Sequence, residues 1–278
     1  MRLLAISDLH LASAVNRDAL ATLPFCPQDW LILAGDIAER FDHLRLAFAT
    51  AAARFGRVLW VPGNHELWSV PEDETTSQAR RGQSRYLAQI ELARQYGVLT
   101  PEDEYPLWDG PGGPCRIAPL FLLYDYSFRP DAVSRDGVVA WAAELRNVCA
   151  DEMLLDPAPY SSREAWCEQR CRHTHDRLAA LDPAIPTVLV NHFPLRDDLI
   201  HIPRAPRFTP WCGTKITADW HRRFNAKVVV SGHLHVRRTD WRDGTRFEEV
   251  SLGHPRQWNQ DLGLAHYLRE ILPGPICD

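Results

Sequence analysis

The chain has 278 residues and a formal net charge of −5, so it is long enough for one large α/β domain and too acidic for a general nucleic-acid binder. Its seven cysteines are too few and too irregularly spaced for a disulfide scaffold, and their odd number favours a reducing compartment. No window approaches the ~20 apolar residues of a membrane helix, and the amino terminus does not resemble a signal peptide; we therefore expect a cytoplasmic protein without a membrane partner.

Five short apolar runs are predicted strands, and each of them ends in polar residues. In chain order they are LLAIS before Asp8 and His10, WLILAG before Asp36, RVLWVPG before Asn64 and His65, TVLVN before His192, and KVVVSG before His233 and His235. Runs of this length and composition are typical of strands that are buried on both faces. Because helix-patterned segments lie between several of them, the sequence predicts α/β layers with the polar residues gathered at the carboxyl ends of the strands.

Two of the intervening segments have helical periodicity. In residues 42–55, four apolar side chains fall on one face of the predicted helix: Leu44, Phe48, Ala51 and Phe55. Residues 84–96 predict a second helix with Ser84 as its N-cap. The side chains expected to face the core are Leu87, Ile90, Leu92 and Ala93.

The pattern loosens in the middle third of the chain. The polar segment PEDETTSQARRGQ predicts a surface loop, RIAPLFLLYDYSFRP is apolar and aromatic, and residues 131–182 have mainly helical character. We interpret residues 68–186 as containing a helical and aromatic cap insertion within a single domain that spans residues 1–278.

The strand-end residues together form a donor set for metal ions. An unpaired carboxylate after an apolar run is heavily penalised, so Asp36 needs water or a cation beside it. A carboxylate has two oxygens and can bridge two ions, and imidazole, amide and carboxylate groups suit borderline and hard divalent metals. The sequence therefore predicts a site for two ions among Asp8, His10, Asp36, Asn64, His65, His192, His233 and His235.

Five short blocks, which stand in order along the chain, resemble the signature of calcineurin-like metallophosphoesterases: DLH, GD, GNHE, NHFP and GHLH. The resemblance implies a four-layer α-β-β-α sandwich. It also implies that one ion is held by Asp8, His10 and His235, that a second is held by Asn64, His192 and His233, and that Asp36 bridges them. Many members carry another acid shortly after the GD block; here Glu39 stands at that point, and this departure leaves the metal ligands intact.

The resemblance implies a hydrolase in which His65 is not a ligand. Two ions lower the pKa of a bridging water, so the expected nucleophile is hydroxide, and the catalytic group comprises His65, Asp36 and Asn64. His65 is expected to donate a proton to the leaving oxygen or to stabilise a phosphoryl oxygen. The family favours Mn²⁺ or an Fe/Mn pair, and Zn²⁺ is compatible with four imidazoles.

Longer segments, among them APLFLLYDYSFRP and RFEEVSLGHPRQW, resemble a bacterial subfamily of acyl-carrier-protein phosphopantetheine hydrolases. This resemblance implies holo-acyl carrier protein as the substrate and release of 4′-phosphopantetheine. A phosphodiesterase or phosphatase acting on nucleotides or other small molecules is the alternative. A scaffold with a decayed metal site is disfavoured, because every liganding position carries a competent residue.

Several further residues are candidates for substrate contact. Tyr124 and Tyr126 are either a substrate wall or buried packing, and Arg129, Arg204 and Arg207 are either phosphate contacts or solvated surface. His254 is either a substrate contact or a supporting residue of the site. Candidates for docking an acidic carrier protein are Arg80, Arg81, Arg204, Arg207, Arg222, Arg223, Arg237 and Arg238.

Overall fold

The computed structural model describes residues 1–71 and 80–274 as two mixed sheets that pack face to face. The first sheet consists of β1 (Leu3–Ile6), β2 (Cys26–Leu33), β3 (Phe55–Trp60) and β10 (Arg269–Leu272), in the order β10-β1-β2-β3. The second consists of β4 (Leu107–Trp108), β5 (Cys115–Pro119), β6 (Thr187–Val190), β7 (Ala226–Ser231), β8 (Thr239–Arg242) and β9 (Thr245–Glu249), in the order β4-β5-β6-β7-β9-β8. β1, β2 and β3 are parallel, as are β5, β6, β7 and β9, whereas the edge strands β10, β4 and β8 are antiparallel to their neighbours.

Both faces of the central strands are buried, as their uninterrupted apolar runs predict. Leu3 and Ala5 of β1 pack between the two sheets against residues such as Val188 of β6. Leu4 and Ile6, which alternate with them, pack in the core that the helices share. The five predicted strands are confirmed, and their carboxyl ends supply the polar residues described below.

Helices flank the two sheets. Their bounds are α1 Ala14–Ala19, α2 Phe41–Ala52, α3 Asn64–Leu67, α4 Gly82–Gln95, α5 Val138–Ala143, α6 Asp151–Leu154, α7 Arg163–Ala179, α8 Trp220–Arg223 and α9 Gly263–Tyr267. Short 3-10 turns are Leu20–Thr22, Asp197–Leu199, Pro206–Trp211, Lys215–Thr217 and Gln260–Leu262. Because α2 packs on β3 and on α4 while α8 packs on β7, helices cover the outer side of each sheet, and the predicted α/β sandwich is confirmed.

Two details of the predicted helices are wrong. Phe55 is not on the face of a helix, because α2 ends at Ala52 and Phe55 begins β3, where it pairs with Cys26. Leu87 of α4 is 49% exposed, because the buried stripe of that helix runs through Tyr86, Ile90 and Ala93.

The start of α4 also differs from the prediction. The helix begins at Gly82, and Ser84 is not its N-cap; the Ser84 hydroxyl donates to the Arg81 carbonyl. The predicted surface loop PEDETTSQARRGQ falls mainly on residues 72–79, which lie outside the described residues.

The predicted cap region, residues 68–186, is composite. It includes β4 and β5, so this part of the range belongs to the second sheet and not to a cap. A cap formed by the rest of the range stays a prediction, although α6 contacts the strand-end residues. In the described part of the chain, no helix is long and apolar enough to cross a bilayer.

Candidate metal centre

Five of the predicted ligands have a left-handed backbone just beyond a strand. The φ angles are 55° at Asp8, 44° at His10, 53° at Asp36, 73° at His233 and 54° at His235. Non-glycine residues adopt this region rarely, at about 1–3 kcal/mol each, and such strain concentrates at functional sites. These positions follow β1, β2 and β7, so the ends of strands from both sheets carry the strain.

The two oxygens of the buried Asp8 carboxylate have different partners. Oδ2 accepts hydrogen bonds from the hydroxyls of Ser7 at 2.6 Å and Ser251 at 2.7 Å and from the backbone N–H of His233 at 3.1 Å. Oδ1 lies 2.9 Å from Nε2 of His235. One oxygen therefore fixes the carboxylate, and the other faces the imidazoles.

His10 and His235 bring two imidazole nitrogens together, with 3.1 Å between their Nε2 atoms. Nδ1 of His235 lies 2.9 Å from the Gln257 side-chain oxygen, and a proton on Nδ1 leaves Nε2 as a lone-pair donor. Burial and the neighbouring His65 lower the pKa of His10 to about 3. A neutral, buried imidazole of this kind is competent to bind a metal ion.

Asp36 joins residues from both sheets. Its Oδ1 accepts the backbone N–H of His65 at 2.9 Å, and its Oδ2 lies 3.3 Å from Nε2 of His192 and 3.8 Å from Nε2 of His65. Burial raises the pKa of Asp36, but the positive imidazoles of His192 and His65 outweigh burial and hold the pKa well below its usual range. This buried carboxylate is therefore compatible with ionisation beside positive charge.

A second donor group consists of Asp36, His192 and His233, whose candidate ligand atoms lie within 4.8 Å of one another. Nδ1 of His192 is placed by the Ala34 carbonyl at 2.9 Å, which directs Nε2 toward Asp36. Burial lowers the pKa of His192, but the Asp36 and Asp8 carboxylates outweigh it and raise the pKa to about 10. The same negative field that favours a proton on this nitrogen favours a metal ion.

Three buried atoms near Asp36 have incomplete hydrogen bonding within residues 1–71 and 80–274: Oδ1 of Asn64 and Nε2 of His233 have no partner, and Nε2 of His192 has only the Asp36 carboxylate at 3.3 Å. Buried polar atoms are nearly always paired, so unpaired ones need an explanation. All three are atom types that bind Mn, Fe or Zn. The residues present therefore fit the divalent ions that the sequence predicts.

His65 is partly exposed and lies beside His10 and Asp36, with which it forms another possible metal-binding group. Its Nδ1 is 2.7 Å from Oε1 of Glu39, and its ring packs against Trp68 with 3.7 Å between ring centres. Burial lowers the pKa of His65, but the carboxylates of Asp36 and Glu39 outweigh burial and raise it to about 9. The residue that departs from the family pattern, Glu39, thus orients the predicted proton donor.

The sequence analysis gave no role to Glu66, which braces the Asp36 loop. The Glu66 carboxylate is fully buried and accepts hydrogen bonds from four backbone N–H groups: Asp36 at 2.9 Å, Ile37 at 2.6 Å, Gly63 at 2.8 Å and Ala38 at 3.4 Å. Burial and the nearby Asp36 raise its pKa to about 7. Its place in the GNHE block was the only available signal.

The sequence analysis also missed Asp151 of α6. Its Oδ1 accepts the side-chain N–H of Asn64 at 3.0 Å and the indole N–H of Trp68 at 2.6 Å, and Asp151 is fully buried. By holding the amide nitrogen of Asn64, it leaves the unpaired amide oxygen as the potential ligand atom. No local sequence signal identifies this residue, which lies 87 positions from Asn64.

The structure separates the predicted substrate contacts. Tyr124 and Tyr126 are fully buried, and the Tyr126 hydroxyl donates to Glu152. Arg129 donates to the carbonyl groups of Val133 and Tyr126. These three residues contact the protein itself, and their role in substrate binding stays a prediction.

The remaining three predicted contacts lie in different surroundings. The Arg207 guanidinium contacts the Trp141 carbonyl and the Glu144 carboxylate. The exposed His254 stacks on His10 with 4.4 Å between ring centres, and its ring joins His10 and His235 in another possible metal-binding group. The exposed Arg204 has no hydrogen bond or ion pair to any described residue and lines a cleft.

This cleft opens beside the candidate ligands and has a volume of about 520 Å³. His233 and His235 contribute to its wall, together with Arg204 and four apolar side chains, namely Ile202, Phe208, Leu234 and Val236. The donor atoms and a mainly apolar cavity are therefore contiguous.

Comparison with protein families and curated proteins agrees with this geometry. The model of the calcineurin-like phosphoesterase family matches residues 1–237. A curated relative, acyl-carrier-protein phosphodiesterase PptH of Mycobacterium tuberculosis, is 48% identical over 273 residues, which is 98% of this chain and 83% of that protein.

Comparison with solved structures gives a similar result. The crystal structure of phosphopantetheinyl hydrolase (PptH) from Mycobacterium tuberculosis superposes with a TM-score of 0.93 at 46% identity, covering 100% of this chain and 98% of that one. The two sheets and flanking helices are therefore shared over the whole length of the chain.

Proposed function

The chain belongs to the calcineurin-like phosphoesterase family and is a hydrolase of phosphoesters; from this premise we propose that it removes 4′-phosphopantetheine from holo-acyl carrier protein. The observation that carries the proposal is a set of unpaired donor atoms at the strand ends, in a chain 48% identical to an acyl-carrier-protein phosphodiesterase. The bond cleaved is the phosphodiester between the carrier serine and 4′-phosphopantetheine.

Two metal ions are part of the proposal. Asp8, His10 and His235 would hold one ion, Asn64, His192 and His233 would hold the other, and Asp36 is close to ligand atoms of both groups. When bound, such ions lower the pKa of water and neutralise charge on phosphoryl oxygens. Mn²⁺ or an Fe/Mn pair is the proposed occupant, and Zn²⁺ is chemically compatible with the same donors.

His65 is the proposed proton donor to the leaving serine oxygen. Its Nδ1 is held by Glu39 and its ring by Trp68, so Nε2 is the nitrogen left to face the reacting group. Proton donation of this kind typically contributes about 10²–10⁴-fold to the rate. Asp151 fixes both Asn64 and Trp68 and thereby couples α6 to the position of His65.

The proposed partner is an acidic carrier protein. Of the predicted docking arginines, Arg81, Arg207, Arg222 and Arg238 have acidic partners in the described chain. Arg204 is the one that lines the cleft beside the ligands, which makes it the best-placed of the set. Because the enzyme carries a formal net charge of −5, docking is local and sensitive to salt.

We also propose a cytoplasmic location. Cys26, Cys115, Cys149, Cys167, Cys171 and Cys212 are free thiols. Free, mainly buried cysteines are typical of a reducing compartment.

The proposal is tested with holo-acyl carrier protein and Mn²⁺, followed by mass spectrometry of both products. We expect apo-carrier protein and free 4′-phosphopantetheine, and no turnover by the Asp36→Asn variant. Hydrolysis of nucleotides or p-nitrophenyl esters by a preparation that leaves holo-carrier protein intact would favour the small-molecule esterase instead.

A further inference from the structure

The cleft beside the ligands is built as a continuation of the candidate metal centre. Phe208 packs its ring against the imidazole of His233 with 5.6 Å between ring centres. Leu234 and Val236 alternate along the chain with His233 and His235, so each ligand is followed by an apolar wall residue. A group bound at the donor atoms therefore has one adjacent, largely apolar path away from them.

The residues of the cleft wall favour a ligand of a particular chemical kind. Leu234 forms a small buried apolar cluster with Phe128 and Cys212, and Ile202, Phe208 and Val236 pack against this cluster. Among the described lining residues, Arg204 is the only Lys, Arg, Asp or Glu side chain, and it has no partner of its own. A ligand that fits is uncharged over most of its length, carries methyl or methylene groups, and offers a few oxygen acceptors.

We propose that this cleft binds the pantetheine arm of the substrate, with the apolar wall on its dimethyl and methylene groups and Arg204 donating to an amide carbonyl. The inference rests on the proposed function, because it assumes a substrate that bears such an arm. A nucleotide fits the cleft less well, since a base and a ribose would present many polar groups to an apolar wall.

The arm can be tested separately from the carrier protein. Both 4′-phosphopantetheine and inorganic phosphate place an anionic phosphate at the donor atoms, and only the first carries the arm. Each is used as an inhibitor of bis(p-nitrophenyl) phosphate hydrolysis by the Mn²⁺-loaded protein. We expect the inhibition constant of 4′-phosphopantetheine to be lower than that of phosphate by about tenfold or more, which is a binding gain of a few buried groups.

Two variants test whether residues of the cleft cause the tighter binding of 4′-phosphopantetheine relative to phosphate. Ile202→Asp places a carboxylate in the apolar wall and should reduce the ratio of the two inhibition constants to near one, and Arg204→Ala should reduce it several-fold. Phosphate measured on each variant corrects for any change at the ions. The matched controls are Ile202→Leu, which conserves volume, and Arg45→Ala, which removes an exposed arginine from α2; both should retain the ratio.

The possible results distinguish failure of the cleft assignment from failure of the proposed function. A wild-type ratio near one, or a ratio that survives Ile202→Asp, would overturn the cleft assignment. A high ratio that is lost in Ile202→Asp supports the cleft even if holo-carrier protein is not turned over, and that combination would reject only the carrier-protein substrate.

Discussion

Asp151 offers the sharpest test of how the protein positions a candidate ligand. Asp151 is fully buried, and its Oδ1 atom accepts hydrogen bonds from the Asn64 side-chain amide at 3.0 Å and from the Trp68 indole at 2.6 Å. Asp151→Asn keeps the shape and removes the charge, and Asp151→Ala removes both bonds and frees the Asn64 amide to rotate. We expect weaker metal binding in both variants, more so in Asp151→Ala.

The expected loss of metal affinity follows from the loss of one hydrogen bond. A hydrogen bond to a charged group contributes about 1.5–3 kcal/mol, which corresponds to about 10–100-fold in a binding constant. Loss of partners that orient metal ligands typically has an effect of the same size. The measurement is the Mn²⁺ concentration that half-restores activity after chelation, combined with metal content after dialysis.

The neighbouring residue is the matched control. Glu152 lies on the same helix, and its Oε1 accepts from the Tyr126 hydroxyl at 2.7 Å and the Trp211 indole at 2.8 Å, without a described contact to a candidate ligand. Glu152→Gln should lower the melting temperature and leave Mn²⁺ affinity within about twofold. If Asp151→Ala and Glu152→Gln lower the melting temperature alike and neither changes Mn²⁺ affinity, the positioning role is refuted.

Three further predictions concern the ligands and their supports. Asp36→Asn should lose metal and activity together, whereas His65→Asn should keep its metal content and lose about 10²–10⁴-fold, mainly in kcat; equal metal loss in both would contradict the role of His65. Glu66→Ala leaves four buried N–H groups unpaired and should lower the free energy of unfolding by several kcal/mol, at about 1–3 kcal/mol per group, in urea titrations. Chelation should abolish activity and lower the melting temperature by about 5–10 °C, because a ligand at 100 times its dissociation constant contributes about 2.7 kcal/mol; an unchanged melting curve would argue against resident ions.

The sequence predicted the strands that are continuously apolar and followed by polar residues, and it missed the others. β4 has two residues, and β5 has the sequence CRIAP, which contains an arginine and ends in proline. These segments become strands because β5 pairs with β6 and β4 pairs with β5, and this is a tertiary effect that local patterns do not record.

The site residues also divide into those that the sequence could predict and those that it could not. Asp8, His10 and Asp36 could be predicted because the carboxyl ends of neighbouring parallel strands meet at one edge of the sheet, which brings positions that are distant in sequence close in space. Asp151 could not, because its contacts with Asn64 and Trp68 depend on how α6 packs against a loop more than 80 residues away. The contact between Glu39 and His65 joins the loops after β2 and β3, and sequence placed Glu39 near the site without its partner.

The strained ligand loops are braced by one another, so the donor atoms hold their positions through the fold. The backbone N–H of Asp8 donates to the Gly35 carbonyl at 2.9 Å, and that of His10 donates to the Asp36 carbonyl at 3.1 Å, which extends the pairing of β1 with β2 beyond the strands. Glu66 then ties the Asp36 backbone to Gly63, and the left-handed residues persist because these bonds over-determine them. A site fixed in this way does not need ions in order to form. The chelated protein should therefore keep its far-ultraviolet circular dichroism spectrum at 25 °C while its melting temperature falls, and loss of the spectrum on chelation would show that the ions organise the fold itself.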